Sequence, residues 1–193
     1  TFLDAAGVAT PDSMDGRSFL PVLLGQKTEH KTYTYGLHTT RGIINGSENF
    51  GIRSCGTKTH RYIRNLNPDI KFTNAVTREG GDRADFWSSW IARARSGDAH
   101  AKAMTGKYQH RPAEELYDIV KDPHCLNNLI EDPGLTGLKL DLSNRLDAWM
   151  KSQGDKGVET EAIAHTRKAG FGKKKQPKNA KKKGGKRKKT KKK

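Results

Sequence analysis

Polar and apolar positions alternate in short runs through much of this chain and change to a helical step after residue 133. Three elements follow one another within residues 111–133. Leu116, Asp118 and Val120 alternate with Tyr117 and Ile119, so a strand here carries apolar atoms on both faces. Asp122-Pro123 stops it, because proline cannot donate a ladder hydrogen bond. Asp132-Pro133 then supplies an N-cap and a first-turn proline for a helix. Along that helix Leu135, Leu138, Leu142, Leu146 and Trp149 fall three or four apart. They form one apolar stripe, with Asp141, Asn144, Arg145 and Asp147 turned outward and Gly154 near the end.

Upstream, residues 50–55 and 60–66 read as two strands joined by Gly56-Thr57-Lys58, with Ile52 and Ser54 on the opposite alternation from Arg53. Thr32-Tyr33-Thr34-Tyr35 is strand-like as well. The 135–151 helix must bury its stripe, and this sheet is the available partner. The fold class is therefore α+β, a small antiparallel sheet of about four strands crossed by a C-terminal helix. Arg53 and Arg64 are expected to pair with carboxylates on the sheet's wet face.

Elsewhere the signals are shorter. Residues 1–8 read as the last turns of a helix closed by Gly7, and Ser18 is expected to cap a short helix with Phe19, Leu20, Leu23 and Leu24 inward. Residues 69–81 lack periodicity. Asp82 or Asp85 then opens a helix in which Phe86, Trp90 and Ala94 fall four apart beside Trp87 and Ile91, and Gly97 ends it. Trp87 and Trp90 are expected in the core rather than as sugar-stacking platforms. Residues 99–104 add a helical turn, and Tyr108 leads into the next strand.

Charge changes this picture at one end. Residues 167–193 hold 16 of the 37 Lys and Arg and none of the 21 Asp and Glu, so the body is neutral and the +16 belongs to the tail. A nucleic-acid-binding reading of the whole protein is thereby removed. The tail cannot build a core, and its partners are expected to be polyanions, nucleic acid or acidic polysaccharide; a merely solubilising tail is the alternative. From about Gly157 order is expected to end. Two cysteines give no disulfide framework and no metal knuckle. No run of about 18 apolar residues is present.

Candidate chemistry concentrates in Gly36-Leu37-His38-Thr39-Thr40-Arg41-Gly42. Arg41 offers a planar fork matched to sulfate or carboxylate oxygens, and His38 can donate or accept. An exposed loop with both side chains solvated is the plainer reading. No Gly-rich phosphate loop, Gly-x-Ser-x-Gly or His-Glu-x-x-His is present. His124 and Cys125, adjacent in sequence, make a poor nucleophile–base pair.

Glu114-Glu115-Leu116-Tyr117-Asp118, then Asp122-Pro123, Asn127-Asn128-Leu129 and Asp132-Pro133 resemble the C-terminal signature of the sulfatases. The likeness is strongest to the N-sulfoglucosamine sulfohydrolase (sulfamidase) type. Asp15-Gly16-Arg17-Ser18 and Arg61-Tyr62-Ile63-Arg64-Asn65-Leu66 fit the same family. The resemblance implies an alkaline-phosphatase-like parent. Residues 1–26 would end its large α/β domain, 27–156 would form the C-terminal subdomain, and 157–193 a disordered Lys-rich tail. It implies that His38 and Arg41 border the sugar, and that the chain opens in mid-motif.

Sulfatases of this kind oxidise a Cys or Ser in Cys/Ser-x-Pro-x-Arg to formylglycine and polarise sulfate with calcium. Neither Cys55 nor Cys125 has those neighbours. The nucleophile and the calcium ligands are therefore expected upstream, and this chain alone is expected not to hydrolyse sulfate esters or sulfamates. Export to the periplasm or outside the cell follows by family analogy. The rival readings are a non-catalytic module binding nucleic acid or glycosaminoglycan through the tail, and a degenerate fragment with no activity.

Overall fold

The computed structural model describes residues 1–39, 50–74, 76–77 and 85–163. Two short helices, α1 (Phe2–Ala5) and α2 (Leu20–Leu23), come first. Strands β1 (Thr34–His38), β2 (Ile52–Gly56) and β3 (His60–Asn65) follow, then helices α3 (Asp85–Arg95) and α4 (Ala99–Gln109) and strand β4 (Glu114–Asp118). A 3-10 turn at Pro133–Leu135 leads into α5 (Thr136–Ser152), and α6 (Val158–Ala162) comes after it. The strands make one antiparallel sheet in the order β1-β2-β3-β4, the α+β arrangement that the periodicity predicts.

Register decides what each face of the sheet carries. Tyr35 lies opposite Cys55, Cys55 opposite Tyr62 and Tyr62 opposite Leu116, so one face aligns these side chains. Cys55, Tyr62 and Leu116 are fully buried and form the core with Leu142, Leu146 and Met150 of α5. Tyr35 at the rim stacks on Trp149 with ring centroids 5.1 Å apart. Each fully buried aliphatic side chain of α5 contributes about 1.5–3 kcal/mol, which is what holds the helix on the sheet. The other face is covered on its β3–β4 side by the α3–α4 hairpin, where Lys107 stands over the Tyr117 ring at 5.4 Å.

Several local expectations change. The fourth strand stops at Asp118 rather than Val120, because the Asp118 carboxylate accepts from the N–H groups of Val120 and Lys121 and draws the chain into a turn. Asp132 caps as expected, accepting from Gly134 N at 2.8 Å. Helix α4 runs past Met104 to Gln109 and takes Tyr108 into its last turn, with Asp98 as its cap. Trp87 is buried, but Trp90 is 38% exposed. Ser18 accepts from Leu20 N, yet Phe19, Leu23 and Leu24 are exposed and only Leu20, Pro21 and Val22 are partly covered. The described residues continue beyond Gly157 as far as residue 163. Helix α6 follows, and its Glu161 is buried against Arg53, which gives this segment a polar anchor where an apolar one is missing.

Candidate functional site

Arg53 lies near the middle of the site, and the expectation of a wet sheet face fails there. The side chain is 1% exposed. Burial opposes its charge. Two carboxylates more than offset that cost and raise its pKa. Arg53 Nη2 donates to Glu161 Oε1 at 2.8 Å and its Nε bonds Asp155. Burial likewise opposes ionisation of Asp155, while the Arg53 bond and the Gly157 N–H hold its carboxyl below the usual range. The partners are thus carboxylates, as the sequence suggests, but in a dry setting. Arg64 differs: it bonds Asp147, whose side chain is exposed, and donates to Ser143 Oγ at 2.9 Å, so here the expected pairing in contact with water holds.

The pair of carboxylates clamps the end of β1. Arg53 Nη1 donates to the carbonyl of His38 at 3.2 Å, and Thr39 Oγ1 donates to Glu161 Oε2 at 2.7 Å. Gly51 admits Glu161 because it has no side chain: a Cβ there would stand 2.5 Å from Glu161 Cγ. One guanidinium therefore fixes β1, β2 and α6 together at the point where the chain leaves the sheet.

His38 itself is half-buried at this end. Its ring lies 6.0 Å from Phe72, which packs edge-on to Phe50 and Tyr108 and carries Arg111 over its face at 4.6 Å. Burial and then the nearby Arg111 charge depress the His38 pKa, which favours the uncharged imidazole. Its Nε2 is buried and has no hydrogen-bond partner among the described residues. Such an atom is available to a ligand's hydroxyl or oxyanion. The other predicted contact, Arg41, falls in residues 40–49, outside the described residues.

The arrangement suits binding and positioning rather than bond-making. Burial pushes the Cys55 thiol up to about 11, which leaves it unreactive at pH 7. Cys125 is raised too, and His124 beside it is exposed. Asn128 is structural: its Oδ1 accepts from Leu116 N at 2.9 Å and from Ile130 N at 3.1 Å. Among the described residues no three His, Cys, Asp or Glu side chains converge to hold a metal ion. Sequence reasoning missed Asp155, Glu161, Thr39 and Gly51. The five residues of α6 are too few to show a period, and the only cue was an acidic pair just ahead of the basic tail.

The chain is 36% identical over 155 residues to an ulvan-active sulfatase of Formosa agariphila, covering 80% of this chain and 28% of that protein. Over four-fifths of its own length the chain is similar to part of a sulfatase. A protein of Bacteroides thetaiotaomicron described as a sulfatase matches in structure with a TM-score of 0.50 at 20% identity, over 80% of this chain and 24% of that one. A protein solved with its substrate D-glucosamine-2-N,6-O-disulfate matches with a TM-score of 0.51 at 17% identity, over 82% and 24%. The chain thus spans about a quarter of the length of these relatives. No family model matches it. The described residues contain no helix long and apolar enough to cross a membrane.

Proposed function

We propose that this chain is the C-terminal lobe of a sulfatase acting on sulfated sugars, and that the His38 end of its sheet forms one wall of the sugar pocket. The observation that carries the reading is an imidazole whose buried Nε2 has no hydrogen-bond partner among the described residues, on a backbone held by the buried Arg53 cluster. Arg41, three residues on, is the second proposed contact, its fork suited to a sulfate or carboxylate. The likeness to an ulvan-active enzyme and to a protein solved with a sulfated glucosamine supports a sulfated polysaccharide as substrate. Within that class, an N-sulfated glucosamine is the choice that the sulfamidase-like signature favours.

Sulfur chemistry lies elsewhere on this reading. Neither cysteine has the formylglycine neighbours, and the described side chains offer calcium no cage, so both groups are assigned to residues outside this chain. The test is steady-state kinetics of the complete sulfatase polypeptide. His38→Ala and Arg41→Ala are each expected to lower kcat/KM for sulfated sugars about tenfold or more, the loss of one charge-assisted or buried hydrogen bond. Wild-type values in both variants would remove the assignment.

A second reading concerns the tail and adds to the first. Glu161 bonds Thr39, so the chain enters the segment that leads to the tail beside the proposed pocket wall. We infer that the 16 cations of residues 167–193 attract the same polyanionic polysaccharide. Removing them is expected to flatten the salt dependence of binding to a sulfated polysaccharide while leaving the circular dichroism of the lobe unchanged. An unaltered salt slope would reject this role.

A further inference from the structure

Between the second face of the sheet and the α3–α4 hairpin lies a cavity of about 590 Å³. Flat rings make much of its wall: Trp87, Trp90 and Tyr108 from the hairpin and Tyr117 from β4. Trp87 and Tyr108 brace one another at 5.5 Å. The charged groups along the wall are unequal, with Arg61, Lys107 and Arg111 set against Glu115.

The donors are in surplus and the acceptors are used. Glu115 is 6% exposed, accepting from Asn65 Nδ2 at 2.6 Å and from Tyr117 Oη at 2.5 Å. Lys107 is occupied with the carbonyls of Cys125 and Leu126. Arg61, in contrast, makes no ion pair among the described residues. The Nε of Arg111 and the indole N–H of Trp87 are buried without partners among the described residues, and Trp87 as a whole is 8% exposed. Buried donors left without acceptors cost about 1–3 kcal/mol each, so a ligand that brings acceptor oxygens is favoured. The flat apolar walls favour rings that stack.

We propose that this cavity binds a flat aromatic anion, an aryl ring system bearing a sulfonate, sulfate or carboxylate. The rings lie against Trp87 and Trp90, and the acid group meets Arg61 and Arg111. The cavity shares Tyr108 and Arg111 with the ring cluster beside His38, but its ligand is read by direct binding, so the proposal does not depend on the sulfatase reading.

The test titrates the full 193-residue chain with naphthalene-2-sulfonate, read by calorimetry and by two-dimensional NMR. Saturable binding at one site is expected, and neutral naphthalene-2-methanol is expected to bind about tenfold more weakly. Trp90 and Arg61 are exposed enough to replace without emptying a core. Trp90→Ala and Arg61→Ala are each expected to weaken binding about fivefold or more. Leu140→Ser, on the exposed side of α5, is expected to leave it unchanged. Failure to saturate overturns the proposal, as do equal affinity for the alcohol, unchanged affinity in either variant, and binding that disappears only when residues 164–193 are removed.

Discussion

His38 shows how burial and one neighbour set the chemistry of a single side chain. Withdrawal from water disfavours the imidazolium, and the Arg111 guanidinium adds to that, while Glu161 works weakly the other way. An NMR titration of His38 is expected to give a midpoint below the ordinary value of about 6.5, and Arg111→Ala is expected to move it part of the way back. A midpoint at or above 6.5 in the wild type contradicts this account. Because the folded pKa is depressed, stability is expected to fall as pH drops below about 6.5 and to level off once the folded state also takes the proton. Gly51 gives a steric counterpart. Gly51→Ala places a methyl 2.5 Å from Glu161 Cγ, and the displaced carboxylate is expected to cost about 1–3 kcal/mol in urea unfolding.

Among the elements, α6 acts out of proportion to its five residues. It brings Glu161 to a guanidinium that also binds Asp155 and the His38 carbonyl, so β1, β2 and the chain after α5 share one polar joint. Breaking a buried ion pair on one side costs about 3–5 kcal/mol. Glu161→Ala is expected to reach that range by denaturant unfolding and to perturb the NMR signals of His38 and Thr39, whereas the exposed Glu159→Ala is expected to do neither. The Asp155 carboxyl is held below its usual range, so its stabilising contribution is complete above an unfolded pKa of about 3.9 and lost as pH falls through the folded value. Asp155→Asn is expected to flatten the acid limb of a plot of Tm against pH.

Across the whole molecule, contacts are unevenly spread. The sheet and α5 share a core, while α1 and α2 bury no residue, and Phe2, Leu23 and Leu24 are 93%, 64% and 60% exposed. Hydrogen exchange is expected to be fast through residues 1–30 and slowest in β2 and β3, which lie between two neighbours each. Uniform protection across both regions would contradict that division.

Sequence alone determined the elements whose signals are local and repeated. The 135–151 stripe, the hairpin around Gly56, the Asp132-Pro133 start and the charge division at the tail each rest on neighbours in the chain, as does the signature that resembles the sulfatases. Tertiary structure alone decided the rest. Arg53 looked like any solvated strand arginine until Glu161, 108 residues away, was seen to meet it out of water. No period or spacing encodes such a meeting. The burial of His38 Nε2 and the cavity beside Trp87 arise in the same way, because burial and pairing are properties of distant segments brought together.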